Sequence, residues 1–386
     1  MFTKYVQDKE CVIIVGTYIN ACTIAECLQK INYEHQIVLI DPVIDDVCKC
    51  LADIWLKDVI VIKKRITKLG DIVDLINNIA AEDCKKTILM TAEEFIDPIK
   101  YAIQSGTLKN TVAHTGAADN NDIIFDRFLF YRFVERLNCI NVPKTIDYNE
   151  DPQEAFGEEF VIRVKKSWEE EKKLPRLKIV HSRAEQESVE RRFQEQGLTP
   201  DMWCYQELLS TLDTNNVSVC GWYDSDYHQY VVTRKVVQHP PKIGNGDVVE
   251  VYTEAPESIV LATETILKAM RYTGAFEMEF VFDTKSNNYK IIELNPRFWM
   301  QHGLVEEVTD NSLIRRAIGE DIFNNIDYRK LEHRYWINGN QLIYRVIKGQ
   351  IRFLSYLKKG SCYPKLLDSA RWLCHYNKYK RVKSEE

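Results

Sequence analysis

The sequence predicts an α/β protein: a doubly wound parallel sheet first, then antiparallel sheets, then a helical, basic C-terminal tail. Three observations predict it. Short β-branched runs alternate with helical spacing through the first third of the chain. Short strands separated by turn residues crowd the stretch after residue 200, and cations gather beyond Tyr344.

The N-terminal runs come in order. "CVIIVG" (11–16), "QIVLIDP" (36–42), "DVIVIKK" (58–64) and "KKTILMT" (85–91) are apolar runs of the kind buried on both faces of a parallel sheet. "YINACTIAECLQKI" and "GDIVDLINNIAAE" supply helices between them, which makes a βαβ series. Gly16 invites a dinucleotide reading, but "GTYINA" lacks the second and third glycines of that fingerprint. Asp41 ends the second strand, where a ribose contact would sit. A ligand near the C-terminal strand ends is expected on general grounds.

Further on, "NDIIFDRFLFYRFVERLNCINVPKTI" reads as a helix from about Phe125 to Leu137 and a turn into Pro143. "EEFVIRVKKSW" (158–168) is a strand, and "SWEEEKKLPRLKIV" a charged connection into another. A helix follows around Arg183–Gln196, and "MWCYQELLS" (202–210) leads into strands at "SVCGWYD", "YHQYVVTRKVVQ" and "GDVVEVY". "PESIVLATETILKAMRYTG" (256–274) is an amphipathic helix, expected to close at Gly274.

Composition narrows the function classes. A chain of 386 residues suits two to four domains. With 45% hydrophobic residues and only 15 Gly and 11 Pro it is globular rather than disordered. The net charge of −6 is uneven: from Tyr344 to Lys383 eleven Lys and Arg face Asp368 alone, so that segment carries +10 and the remainder −16. Nucleic-acid binding by the main body is excluded on that balance. The 11 cysteines are scattered and match no zinc spacing, as expected of free thiols in a reducing cytoplasm. No apolar run approaches the length that spans a bilayer, and a cytoplasmic location is expected. The tail's mix of cations and aromatics fits a cap on the acidic body, or a peripheral contact with anionic lipid or a lipid-linked glycan.

The chemistry concentrates in "GAFEMEFVFD" (274–283) and "YKIIELNPRFW" (289–299). Strand alternation puts Phe276, Met278, Phe280 and Phe282 on one face, and Glu277, Glu279, Val281 and Asp283 on the other. On the second strand Tyr289, Ile291, Glu293 and Asn295 share a face. A five-residue turn (284–288) would set Asp283 opposite Tyr289, Val281 opposite Ile291, Glu279 opposite Glu293 and Glu277 opposite Asn295. Facing carboxylates destabilise a sheet unless a cation neutralises them, and two carboxylates with an amide suit Mg²⁺. Arg297, just past Pro296, adds a bidentate donor. Metal plus arginine is a phosphate-handling combination. A solvated acidic hairpin face is the plainer alternative.

These residues resemble the ATP-grasp superfamily, in the carboxylate–amine ligase branch similar to carbamoyl-phosphate synthase large subunit and D-aspartate ligase. "DRFLF" (126–130), "INVPKT", "FVIRVKK", "WCYQELL" and "TRKVVQHPPKIGNGDVVE" resemble its other segments in order, over roughly residues 120–303. The resemblance implies an α+β ATP-grasp fold with four parts: 1–118 Rossmann-like, 119–208 first subdomain with lid, 209–325 catalytic subdomain, 326–386 basic cap. It implies ATP and Mg²⁺, two ions being expected, with Glu279, Glu293 and Asn295 as metal ligands. Lys165 would contact phosphates, with Arg163 its rival and Arg127 nearby. Glu207 and Leu208 would line the adenine hinge, and Asp213 would contact ribose. Arg297 would stabilise the transferring phosphoryl group, and Arg234 and Lys235 would face phosphate or substrate. One departure stands out: the lid connection "SWEEEKKLPRLK" has no glycine, so Lys172, Lys173 or Lys178 would substitute for backbone donors.

The reaction implied is ADP-forming: a carboxylate is activated as an acyl phosphate, then joined to an amine, an amino acid or amino compound being expected. His302 is a candidate base for the amine. Partners are thus small molecules, and oligomers are compatible with the sequence. A non-catalytic nucleotide sensor or scaffold on the same fold is the alternative.

Overall fold

The computed structural model describes residues 5–6, 8–16, 18–42, 55–117, 121–166, 177–212, 214–239, 244–322 and 326–374. Its first sheet is parallel and five-stranded: β1 (Glu10–Val15), β2 (Gln36–Asp41), β3 (Ile60–Lys63), β4 (Lys85–Met90) and β5 (Thr111–Ala113), in the order β3-β2-β1-β4-β5. Both faces of β1 are buried. Val12 and Ile14 pack with the helix Tyr18–Lys30, whereas Ile13 and Val15 pack with the helices Asp71–Ile79 and Ile96–Gln104. Helices on both sides make the sheet doubly wound, as the apolar runs predict. The fifth strand has three residues and too little apolar pattern to be read from sequence.

Gly16 has a local reason to be glycine. Its φ is +141°, and a Cβ there would lie 1.7 Å from the Thr91 hydroxyl oxygen. The β1 and β4 ends therefore pack directly on each other at the point where strand order reverses.

The second sheet is antiparallel: β6 (Thr145–Asp147), β7 (Phe160–Val164), β8 (Leu177–Val180) and β9 (Trp203–Glu207), ordered β6-β9-β7-β8. Phe160, Ile162 and Val164 turn one way, into a core with Trp203, Tyr205 and Phe193 of the helix Arg183–Glu195. Arg163 and Lys165, at alternate positions, turn the other way.

The third sheet has seven strands. They are β10 (Asn216–Tyr223), β11 (His228–His239), β12 (Asn245–Val251), β13 (Gly274–Asp283), β14 (Asn288–Asn295), β15 (Tyr335–Asn338) and β16 (Gly360–Tyr363), ordered β14-β13-β10-β11-β12-β15-β16. Here the C-terminal expectation is corrected. The segment is not simply a helical tail: β15 pairs with β12 and β16 with β15, extending the third sheet. Its cations dock on the body, Arg345 against Asp247 and Lys365 3.4 Å from Glu26, as a cap does. Residues 375–386 lie outside the described set. Among the described residues no helix is long and apolar enough to cross a membrane.

The helix before the hairpin also ends early, at Ala269. Arg271 takes the left-handed turn (φ +48°), which Gly274 was expected to take. Gly274 instead opens β13 at φ +116°, where a Cβ would lie 2.1 Å from the His114 carbonyl oxygen. Its glycine serves a close approach to the first sheet.

Candidate active site

The β13–β14 hairpin forms as expected, with one correction that decides its chemistry. Glu279 pairs with Glu293, and Glu277 with Asn295, as the sequence predicts. Towards the turn the register shifts: Phe280 pairs with Ile291, Val281 with Lys290 and Asp283 with Asn288, leaving Ile292 as a bulge. The loop is therefore 284–287, not 284–288. Tyr289 and Ile291 do not share a face with Glu293. The bulge turns Ile291 into the apolar core with Phe280, and the phenol of Tyr131 donates to the Ile292 carbonyl at 2.7 Å. One extra residue thus gives the strand an apolar inner half and an acidic outer half.

The acidic half faces cations from three directions. Lys235 on β11 places Nζ 2.6 Å from Glu279 Oε2. Arg163 on β7 donates to Glu293 Oε2 at 3.1 Å, and Arg127 donates to the same oxygen at 3.4 Å. Arg163 and Arg127 are 7% and 6% exposed, so their charges are matched by Glu293 rather than by water. Arg127 opens the helix Arg127–Leu137, whose N-cap Asp126 accepts from the amides of Phe128 and Leu129. The Asp-Arg dipeptide therefore has two separate jobs, one capping and one reaching into the site.

Glu277 is the residue whose role the sequence hid. It is buried, accepts from Ser218 Oγ at 3.2 Å and from Asn295 Nδ2 at 3.0 Å, and fixes the Asn295 amide. Burial, then the neighbouring Glu279 charge, raise its carboxyl well above the usual range, against the pull of Lys235 and Arg297. Burial works against the Lys235 charge, yet Glu279, Glu277 and Glu293 together hold that ammonium above its ordinary range. Ser218 would have been found from alternation along β10, on the face that pairs with Glu279.

Arg297 ties the site to the first sheet. Its Nη2 donates to Asn295 Oδ1 at 3.4 Å, while Nη2 and Nε lie 2.9 and 3.0 Å from Glu93 Oε1 just beyond β4. The Phe298 amide donates to the Met90 carbonyl at 3.0 Å, fixing the exit of the strand.

At the far end, Glu207 closes β9 and bridges the two antiparallel sheets: its Oε1 accepts from Lys290 Nζ and from the Lys144 amide, each at 2.6 Å. Leu208 begins the linking segment, where the Ser210 amide donates to Asp283 Oδ1 at 3.1 Å. Lys290 was missed because a strand lysine reads as a solvated charge; here it is 8% exposed.

Other expected residues are not gathered in. Lys165, beside Arg163 on the same face, pairs with Asp147 at 2.7 Å and sits over Phe128 and Tyr148. Arg234 and Lys235 are adjacent on an extended strand and so point to opposite faces. Arg234 is correspondingly separated from the acids, 2.7 Å from Glu250 and stacked on Tyr252. His302 is corrected as a candidate base: it is fully buried, 3.1 Å from the Asn20 carbonyl, and burial holds it down at about 4. Its ring packs against Phe298 and Trp299. Asp213, Lys172 and Lys173 lie outside the described residues, and Lys178 is on β8.

The donor set fits a magnesium ion. Glu279 and Glu293 are hard oxygen donors, each 18% exposed at the side chain and so still reachable from solvent. Among the described residues no three His, Cys, Asp or Glu side chains are grouped to hold a metal. A third ligand would therefore be the Asn295 amide or a phosphate oxygen.

Residues 233–320 match the family model described as carbamoyl-phosphate synthase L chain, ATP binding domain. Over 66 residues the chain is 35% identical to biotin carboxylase 1 of Bacillus subtilis (strain 168), a stretch covering 17% of this chain and 15% of that protein. Among solved structures, N5-carboxyaminoimidazole synthetase from Staphylococcus aureus superimposes with a TM-score of 0.61 at 14% identity, over 90% of this chain and 88% of that one. The biotin carboxylase complex from Campylobacter jejuni gives 0.62 at 12% identity, over 85% and 74%. At these identities the likeness is one of fold, and the fold is the ATP-grasp α/β architecture.

Proposed function

We propose that this chain, an ATP-grasp protein, is an ATP- and Mg²⁺-dependent ligase that joins a carboxylate to an amine and releases ADP and phosphate. The observation that carries the reading is Glu279 opposite Glu293 on adjacent strands, with two buried guanidinium groups from another part of the chain set against Glu293. A solvated acidic face has no use for buried arginines. A phosphate-binding cleft needs both signs of charge, one for the metal and one for the polyphosphate.

The roles follow from position. Glu279, Glu293 and Asn295 would hold Mg²⁺, which when bound neutralises polyphosphate charge. Arg163 faces the phosphates with Arg127 behind it, and Lys165 stands further along the same strand face. Lys235 neutralises Glu279 and reaches the same space. Glu207 and Leu208 form the hinge beside the base, with Lys290 linking the sheets. The cap's strands β15 and β16 belong with the catalytic part (209–325), and 1–118 and 119–208 stand as proposed boundaries.

In the first step a carboxylate oxygen attacks the γ-phosphorus, and the bond from that phosphorus to the β,γ-bridging oxygen breaks to release ADP. In the second, the amine nitrogen attacks the acyl carbon, the carbon–oxygen bond to phosphate breaks, and the nitrogen loses a proton. This chain's part is to hold and orient the two partners, to exclude water and to stabilise the transferring group through Arg297.

ADP release measured over a matrix of carboxylates and amines tests the reading. Release that needs one acid and one amine together, with the amide recovered, is expected. Nucleotide binding with no turnover on any pair would favour the sensor reading instead.

A further inference from the structure

The cap carries an outward face that takes no part in the proposed active site. Among the described residues fourteen large apolar side chains are exposed, and six of them fall between Tyr344 and Leu367. Ordinary surfaces scatter such residues singly, whereas a cluster marks an interaction site. The same stretch is basic: from Arg334 to Lys365 the chain has no Asp or Glu. Arg345 is held by Asp247, and Lys365 lies near Glu26. Lys348, Arg352, Lys358 and Lys359 are exposed and have no carboxylate partner among the described residues.

Local periodicity builds the face. In the helix Gly339–Ile347, Leu342 turns inward with Val248, Ile337 and Phe353, while Tyr344 and Ile347, three residues apart, share the opposite side. Lys348 follows one turn after Tyr344, its ammonium 5.7 Å from the centre of that ring. The next element, Ile351–Lys358, is a 3₁₀ helix, in which every third side chain falls in line. Phe353 and Tyr356 form its inward row. Ile351 and Leu354 form an apolar outer row, with Arg352, Ser355 and Lys358 as a polar row beside it. Ile347 and Ile351 are 73% and 65% exposed, so both project from the surface instead of lying in it.

We propose that this face rests on an anionic lipid bilayer, with Ile347, Ile351 and Leu354 entering the headgroup–acyl boundary and Lys348, Arg352 and Lys358 among the lipid phosphates. Charge decides among the occupants. A second copy related by a two-fold axis would set these cations against their own equivalents. The chain's last residues, 375–386, carry four Lys and Arg against two Glu, again of the same sign as the face. Single-stranded nucleic acid is held by stacking on aromatic rings, whereas this face presents aliphatic side chains, with Tyr344 the one exposed aromatic among them. An anionic bilayer meets both halves, being negative at its surface and apolar beneath it. The proposal stands apart from the ligase reading, since none of these side chains belongs to that site.

The test is co-sedimentation of the full chain with vesicles of equal parts phosphatidylglycerol and phosphatidylcholine, against vesicles of phosphatidylcholine alone. Binding should be about tenfold or more tighter on the anionic vesicles and should weaken as salt rises. Lys348→Gln with Arg352→Gln should weaken anionic binding by about tenfold. Ile347→Ser with Ile351→Ser should weaken it by about tenfold as well, because the inserted apolar area is lost. Both variants change exposed side chains, so melting temperatures equal to the parent's are expected, and either folded variant decides alone. Equal binding on the two vesicle types, binding that survives in either variant, or no binding overturns the proposal. A vesicle-free dimer that the isoleucine variant dissolves would then give the face to a second copy. Oligonucleotide binding that the cation variant loses would give it to a nucleic acid.

Discussion

Glu277 and Asp283 stand on one strand, β13, both buried and both facing cations, yet their surroundings drive them in opposite directions. Burial alone would raise Asp283, but the Ser286 hydroxyl, the Lys290 ammonium and the amides of Ser210 and Lys285 outweigh it and hold the carboxyl down at about 2. Glu277 has fewer donors and another carboxylate beside it, and its carboxyl is raised. The turn end of the hairpin is a closed structural network, fully supplied with donors. The other end sets three carboxylates, Glu277, Glu279 and Glu293, side by side and relies on Lys235, Arg127 and Arg163 from other elements to neutralise them. Crowded like charges are costly in a resting protein, and under the proposed reading their use is to receive a cation.

The sharpest way to break this comparison is to remove charge from the end where the carboxylates crowd. Glu279→Gln and Glu293→Gln keep the shape of the side chains but not the charge. Each should lower the rate of ADP formation by about a hundredfold or more. Each should also abolish the rise in melting temperature expected when Mg²⁺ and nucleotide are added to the parent protein. The two differ without ligand: Glu293→Gln removes the carboxylate that both Arg127 and Arg163 reach and should be the less stable, by about 3 kcal/mol. Glu279→Gln leaves Lys235 still close to Glu277 and Glu293, and its ligand-free stability should change little. Full activity in either variant would remove the metal role.

How much of this could be read from the sequence depends on the range over which each feature is determined. The pairing of Glu279 with Glu293 was legible because period-two alternation and a short loop constrain it locally. The bulge at Ile292 was not, because it answers to a tertiary partner, the Tyr131 phenol, far away in the chain. The two errors in the expected hairpin, loop length and register, cancel at the acidic end, which is why Glu279 pairs with Glu293 as expected although Ile291 lies on the other face. The parallel sheet was legible from its apolar runs, whereas β15 and β16 were not: four residues each, among cations, they are strands only because β12 offers an edge. Alternation separates Arg234 from Lys235, but reading them as one basic pair obscured it.

At the balanced end the effect should fall on stability instead of turnover. Asp283 has a folded value of about 2 against 3.8 for the free side chain. Because the folded value is the lower, its contribution is complete above pH 4 and is lost as pH falls from there through 2. Asp283→Asn should therefore lower unfolding free energy at neutral pH by about 2 kcal/mol. It should also flatten the loss of stability between pH 4 and 2, with ADP formation kept within about threefold. Urea denaturation across that pH range measures it. A variant as stable as the parent would mean that the network is not what holds the turn.

The smallest effect is expected from Arg234, and it tests whether the face of a strand, rather than nearness in sequence, decides function. Lys235→Gln removes the ammonium that neutralises Glu279 and should cost about tenfold or more in ADP formation. Arg234→Gln touches only Glu250 and Tyr252 on the other face, where His333 Nε2 still lies 2.9 Å from Glu250. Arg234 is 34% exposed at the side chain, so losing its ion pair should cost about 1 kcal/mol at most and leave kcat/KM within about twofold. Side-by-side assays of the two variants settle it. If Arg234→Gln proves as damaging as Lys235→Gln, the acidic face is not the whole site, and the Glu250 side of the sheet must also meet substrate.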